Sequence, residues 1–332
     1  MRTLHGKKVL VTGAAGYIGS VVVRKLLDKG YVVRGFDNLL FGDGALVDIY
    51  NHPDFEFIKG DIRQENDVES ALNGIDGVIH LAAIVGDPAC SKDRELAEQT
   101  NWFGAKILFD KCHELNNAKR FIFASTCSNY GQMEGDRFVN EESPLHPVSW
   151  YAELKVRFEQ YILEKEIRDD LVPCVLRFST AYGTSPRMRF DLTVNEFVYE
   201  LALGRELEVF GEHFWRPYCH VKDLARACVL VLESNEKIIR GNVFGVGDTR
   251  ENYQKKMIVD EILKLIPDGK VKYVYKDEDP RNYRVDFTKI KDQLGSEISH
   301  TIPDGIAEVA EFVYSHIDIE PSSCSNCNAV TS

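Results

Sequence analysis

Short runs of uninterrupted apolar residues alternate with segments whose apolar positions recur at helical spacing through the first half of the chain. Lys8-Val9-Leu10-Val11 reads as a buried strand, and residues 17–29 follow with Ile18, Val21, Val22 and Leu26 on one helical face. Further strands are predicted at 31–36, 55–59, 77–81, 120–124 and 172–178, with helical stretches at 67–72, 95–115 and 150–167 between them. Strands apolar on both faces, alternating with amphipathic helices, belong to a parallel sheet covered on both sides. Right-handed crossovers make such a sheet doubly wound, with its ligand at the carboxyl ends of the strands. Beyond Tyr182 the pattern becomes mixed and rich in loops, with helices predicted at 194–203, 221–232 and 252–265. This predicts a smaller mixed α/β lobe closing over the sheet.

Composition narrows the setting. The 332 residues are 44% hydrophobic and 28% charged, which suits one large or two moderate globular domains. A net charge of -12 repels nucleic acid and anionic membrane, so an anionic ligand must be caught by local basic residues. No apolar run approaches the roughly 20 residues of a membrane span. Met1 to Lys8 lacks a signal peptide's apolar stretch. Eight cysteines, six of them scattered singly, are too sparse for a disulfide scaffold, and a reducing cytoplasm is the default. The Ser/Asn/Cys-rich end, 318–332, reads as a disordered tail. Its Cys324-x-x-Cys327 lacks a second ligand pair, so neither a zinc site nor any other metal site is expected.

Thr12-Gly13-Ala14-Ala15-Gly16-Tyr17-Ile18-Gly19 lies between the first strand and the first helix. Three glycines at that spacing arise by chance in roughly one such protein in ten, so the context carries the signal. Here a buried strand precedes the motif, an apolar-faced helix follows it, and Asp37 ends the second strand. Gly13 permits the tight turn, Gly16 lets backbone approach a pyrophosphate, and Gly19 lets helix and strand pack closely. This predicts a dinucleotide-binding (Rossmann) domain over 1–181 and a substrate lobe over 182–317, with some of its chain returning to the sheet. A carboxylate at Asp37 accepts from adenosine ribose hydroxyls and repels a 2′-phosphate, which favours NAD over NADP. Arg34 should sit apart from it on the alternating strand. Asp61 has two readings, adenine contact or helix N-cap.

About one Tyr-x-x-x-Lys is expected by chance in a chain with this many tyrosines, and three occur: Tyr151/Lys155, Tyr161/Lys165 and Tyr218/Lys222. Tyr161 points about 80° away from Tyr151 on a continuous helix. Tyr218 lies in what reads as a strand or turn, where this spacing does not bring side chains together. Tyr151 and Lys155 begin a helix directly after a loop. The strand 120–124 ends in Ser125-Thr126-Cys127-Ser128, at the crevice, where Thr126 can hold a substrate oxygen beside the phenol. A tyrosine must lose roughly 3 pKa units to be a useful base at neutral pH; Lys155 and a positive nicotinamide supply the required sign of charge. A buried tyrosine beside a snorkelling lysine is the bland alternative.

Thr12–Gly19, Asp61, His80-Leu81-Ala82-Ala83, Ser125–Gly131, Tyr151–Lys155, Arg177–Gly183 and Arg216–Asp223 together resemble the extended short-chain dehydrogenase/reductases, in the branch of nucleotide-sugar epimerases and dehydratases. The resemblance implies the catalytic trio Thr126, Tyr151 and Lys155. It implies NAD contacts from Gly13, Ala15, Gly16, Tyr17, Ile18, Gly19, Asp37, Asn38, Asp61, Ile62, Leu81, Ala82, Ala83, Asn101, Ser125, Tyr151, Lys155 and Phe178. Substrate contacts implied or suggested are Val85, Thr126, Cys127, Ser128, Thr180, Arg187, Arg189, Asn195, Arg216 and Arg281, the arginines being suited to a diphosphate. A homodimer through helices 95–115 and 150–167 is also implied. Where the dehydratase branch carries Thr-Asp-Glu, this chain has Thr126-Cys127-Ser128, which supplies neither acid nor base well for eliminating water. Thr180 replaces a common substrate-binding asparagine, and residues 185–197 with 214–217 look closest to enzymes of nucleotide-activated heptoses. His220 is expected to pack in the lobe hinge. The expectation is a nucleotide-sugar 4-epimerase, with a 4-dehydrogenase releasing the ketone (for example on a GDP-heptose), a dehydratase, and a non-catalytic NAD sensor as rivals.

Overall fold

The computed structural model describes residues 6–116, 118–132, 137–275, 281–316 and 326. The strands in chain order are β1 (Lys8–Thr12), β2 (Val32–Asp37), β3 (Phe55–Lys59), β4 (Gly77–His80), β5 (Arg120–Thr126), β6 (Phe138–Val139) and β7 (Val172–Phe178). They continue as β8 (Thr180–Tyr182), β9 (Glu206–Phe210), β10 (Trp215–His220), β11 (Asn242–Val246), β12 (Asn252–Gln254), β13 (Lys270–Val274) and β14 (Arg284–Val285). Seven of them form one sheet in the order β11-β7-β5-β4-β1-β2-β3, with every pairing parallel. The doubly wound reading holds, and β11 is chain that returns to the sheet from the second half. The rest of that half builds the small sheets β12-β10-β8 and β13-β9.

The core lies in two slabs, one on each face of the sheet. Helix α1 (Tyr17–Asp28) turns Val22, Val23 and Leu26 onto one face, beside Leu224 and Cys228. On the other face sit Val68 and Leu72 of α2 (Glu65–Leu72), beside Leu108, Phe109 and Phe158. A third cluster, including Val194, Val198, Ile258, Ile306 and Val309, fills the second lobe.

The predicted helix 95–115 is interrupted. A short α3 (Asp87–Lys92) comes first, then α4 (Arg94–Glu98), a wide π-turn at Gln99–Gly104, and α5 (Ala105–Glu114). The turn carries Asn101 inward, where its amide accepts from Ile84 N (2.8 Å) and donates to Ile84 O (2.8 Å). Such bulges frequently mark functional sites, and this one fixes the loop after β4. The predicted helix 150–167 is α6 (Trp150–Glu164), 194–203 is α7 (Thr193–Ala202), and 221–232 is α8 (Val221–Glu233). Residues 252–254 are strand β12 rather than the start of the 252–265 helix, which begins at Lys255. Apart from Asn326, the 318–332 tail and its Cys324 and Cys327 lie outside the described residues. No helix among the described residues is long and apolar enough to cross a membrane.

Candidate active site

Successive crossovers lead to opposite sides of the sheet from β1 and β4, so a crevice opens at their carboxyl ends. Thr12 and His80 lie side by side there, with Thr12 Oγ1 2.7 Å from His80 Nδ1. Burial first, and Lys155 second, push the His80 imidazole down to about 3. It is therefore neutral, and Thr12 Oγ1 donates to it while accepting from the N–H groups of Leu81 and Ala82, each at 3.2 Å. The two strand ends are pinned together beneath the crevice.

The glycine loop is built for close approach. Gly13 has φ +71°, and a Cβ there would meet Ala82 N at 2.8 Å. A Cβ on Gly19 would lie 1.9 Å from Gly13 O, so only glycine allows α1 to start this near β1. Among the described residues no side chain caps α1, and its first turn carries no acid. Its free N–H groups and positive dipole end face a cleft of about 710 Å³, the setting that suits a dinucleotide pyrophosphate.

Asp37, at the end of β2, lines the same cleft. Its carboxylate accepts from Ala15 N (3.0 Å) and Leu39 N (2.8 Å), yet burial outweighs these bonds and raises its pKa. Arg34 is turned away as expected, held by Glu56 (2.8 Å) and the carbonyl oxygens of Ala71 and Asn73. The Asp61 N-cap reading is overturned: α2 is capped at Gln64, and Asp61 receives Arg63 through N–H and guanidinium. Burial works to raise the Asp61 carboxyl, but these bonds outweigh it and hold it below the usual range. Asn38, Ile62, Leu81, Ala82, Ala83, Tyr17, Ile18, Ser125 and Phe178 line the same cleft. The hydroxyl of Ser125 is already committed to Glu159 (2.9 Å).

Thr126, Ser128, Tyr151 and Lys155 meet at the sheet's end of the cleft. Thr126 Oγ1 accepts from Ser128 N (3.1 Å), which curls residues 127–130 away from the strand. Ser149 caps α6 by accepting from Ala152 N (3.3 Å), setting Tyr151 in the first turn. Lys155 sits one turn later, 4% exposed, where its Nζ donates to Ala124 O (2.7 Å) and lies 5.8 Å from the Tyr151 ring centroid. Burial lowers its pKa to about 8. The phenol of Tyr151 is raised rather than lowered, by burial first and then by Cys90 and Asp87. The expectation that Lys155 acidifies the phenol is therefore corrected for the protein alone. The ammonium is engaged by a carbonyl, and burial makes it easier to discharge than an ordinary lysine.

Four expected contacts lie outside the cleft lining. Ala15 serves Asp37, and Asn101 holds Ile84. Cys127 is buried with its Sγ donating to Arg177 O (3.3 Å), and burial raises its thiol strongly. Asn195 is fully buried, accepting from Gly183 N (2.9 Å) and donating to Arg189 O (2.9 Å) and Tyr17 Oη (3.3 Å). Tyr17 in turn donates to Gly183 O (2.6 Å), and Ser185 Oγ donates to Tyr17 O (2.6 Å). His220 packs as expected, with its ring 4.3 Å from that of His300 and Nε2 2.5 Å from Glu308.

Of the expected substrate contacts, Val85, Thr180, Arg187, Arg189, Arg216 and Arg281 line the cleft as well. Arg189 is held in a fork by Asp191 (3.0 and 2.6 Å), and Arg187 lies over the Phe41 ring and donates to Asn326 (2.8 Å). Arg216 lies over Tyr283, and Arg281 pairs with Asp87 at 2.7 Å. Asp87, Asp191, Tyr283 and Asn326 were missed in the sequence. Asp87 alone had a local signal, an acid just beyond a strand end at the crevice.

The chain belongs to the NAD dependent epimerase/dehydratase family, whose model matches residues 9–247. It is 30% identical over 318 residues to a dTDP-glucose 4,6-dehydratase of Streptomyces griseus, covering 93% of this chain and 94% of that protein. Among solved structures, a UDP-glucose 4-epimerase with UDP-glucose from Thermotoga maritima superposes with a TM-score of 0.82 at 30% identity, over 94% of this chain and 100% of that one. DesIV, a dTDP-glucose 4,6-dehydratase from Streptomyces venezuelae with NAD and TYD bound, gives 0.84 at 25% identity over 95% and 99%. The protein is an NAD-dependent enzyme of this family.

Proposed function

We propose that the protein is a nucleotide-sugar 4-epimerase. The reading is supported by one arrangement: Thr126, Tyr151 and Lys155 share a cleft with an uncapped glycine loop, while Cys127 is turned into the interior. NAD, when bound in this cleft, would supply the hydride acceptor and donor for the sugar's C4. Thr126 holds the O4 oxygen, and Tyr151 removes the O4 proton and gives it back after the ketone has turned over. Lys155, near half-charged around pH 8, stabilises the phenolate once the cleft fills.

A dehydratase must also remove a proton and expel water at C5 and C6. Cys127 is out of reach, and Ser128 instead lies within 3.5 Å of Tyr283 Oη, a neutral pair. That disfavours elimination, although dehydratases stand among the relatives. Two copies are proposed to meet across the 95–115 stretch and α6, where Phe103 of the π-turn, Leu115 at the end of α5 and Leu163 of α6 are exposed.

The test is incubation with UDP-, GDP-, dTDP- and CDP-hexoses followed by NMR. Equilibration of axial and equatorial C4 epimers without net oxidation is expected. Loss of water from the sugar refutes the reading, and stoichiometric NADH with a free 4-ketone transfers it to a 4-dehydrogenase. A Tyr151→Phe protein with unchanged turnover removes the catalytic assignment altogether.

A further inference from the structure

Four carboxylates line the cleft among the described residues: Asp37, Asp61, Asp87 and Asp191. Three of them have a structural use. Asp37 ties down the loop after β2, Asp61 is clasped by Arg63, and Asp191 is held in a fork by Arg189. Asp87 differs in position and in partner. It opens α3 directly after Gly86, whose φ is +97°. It lines the same cleft as Tyr151, and its charge adds to burial and Cys90 in raising that phenol. Its ion-pair partner is Arg281, whose Nη1 lies 2.7 Å from Asp87 Oδ2. Asp87 thus stands between the group that handles C4 and an arginine suited to the diphosphate.

We propose that Asp87 sets the sugar specificity of this cleft, accepting hydrogen bonds from hydroxyls of a neutral sugar and excluding a uronic acid. The assignment rests on the nucleotide-sugar reading above. A carboxylate group in an ion pair accepts hydrogen bonds and has about four lone-pair positions, of which Arg281 takes at least one. The rest need donors, and sugar hydroxyls are donors. A uronate presents at C6 a second acceptor-only group of the same charge, with nothing to give. Arg281 does not rescue it, because its guanidinium is already engaged by Asp87. Rejection by a like charge is an effective device for specificity, since it penalises the wrong ligand without needing extra contacts to the right one.

Binding distinguishes this proposal from the reaction assigned above. Calorimetry on the NAD-loaded Tyr151→Phe protein, which binds without turning over, would compare pairs differing only at C6. Suitable pairs are UDP-glucose with UDP-glucuronate and GDP-mannose with GDP-mannuronate. The neutral member should bind at least about tenfold more tightly, ~1.4 kcal/mol. Adding Asp87→Asn, nearly the same shape without the charge, should narrow that ratio about fivefold or more, chiefly by improving the uronate. Asp87→Glu should keep the preference. A uronate that binds as well as its neutral partner, or a ratio unmoved by Asp87→Asn, overturns the role of Asp87 and leaves the epimerase reading standing. If neither member of any pair binds, the nucleotide-sugar reading fails and takes this assignment with it.

Discussion

Helix α6 carries Tyr151/Lys155 near its start and Tyr161/Lys165 at its end, the same residues at the same spacing in two different surroundings. At the second pair, Lys165 donates to the Tyr161 hydroxyl (2.9 Å), and that hydroxyl donates to Asp110 (2.7 Å). Lys165 also pairs with Asp110; burial alone would lower its pKa, but these partners raise it instead. Among the described residues no carboxylate is bonded to the first pair. Lys155 faces a backbone carbonyl and two aromatic rings, and its pKa falls to about 8. The pair with the better hydrogen bonds is thus the one outside the cleft. Its charges are already satisfied, whereas Tyr151 and Lys155 are held in a state that a ligand improves. A site kept short of partners costs stability and gains reactivity.

The sharpest way to break this contrast is Tyr151→Phe against Tyr161→Phe. The first should cut turnover by about a thousandfold or more, the range of a lost general base, and the second should leave it within about twofold. Comparable losses from both, measured as kcat on whichever nucleotide sugar is turned over, would end the distinction.

Next in size is Lys155→Met. It should lower turnover by about a hundredfold while raising stability at pH 7 by about 1–3 kcal/mol. The sign follows from the lowered pKa: below about pH 8 the folded protein bears the full cost of a buried ammonium. Toward the ordinary lysine value of 10.5 that cost fades, because the unfolded chain sheds its proton too. Urea titrations at pH 7 and pH 10 should show the mutant's advantage shrinking.

The smallest effect is expected from Lys165→Met, about 1 kcal/mol of lost stability with activity intact. Burial works to raise the Asp110 carboxyl, but its partners hold it below the usual range. This network therefore stabilises above the ordinary carboxylate pKa and fades as the pH falls through the Asp110 value. The Lys165→Met deficit should disappear in acid, where the Lys155→Met gain persists for as long as the fold does.

Much of this was legible in the sequence, for identifiable reasons. Six of the seven sheet strands announce themselves as apolar runs, because a parallel strand is buried on both faces. The glycine loop is legible because only the missing Cβ atoms of Gly13 and Gly19 permit its contacts. Tyr161 and Tyr218 were separable from Tyr151 by helical and strand geometry. The break at Gln99–Gly104 was not visible, since a π-turn shifts register without altering apolar content. Asn195 and Cys127 looked like ligand contacts because they stand beside such residues, whereas neighbours on a strand end or helix face in different directions. The pairing of Asp87 with Arg281 joins residues far apart along the chain and follows no period. Neither does the state of charge of Lys155, which depends on how completely other elements cover it.

Tyr17 stitches the cofactor-facing helix to the second lobe, through its hydroxyl to Gly183 and its carbonyl to Ser185. A wide hinge opening between the lobes would tear these buried bonds at the first turn of α1. Ligands that exchange without breaking these bonds pass through the mouth of the cleft, leaving the first turn of α1 and the Gly183–Ser185 stretch locked to one another.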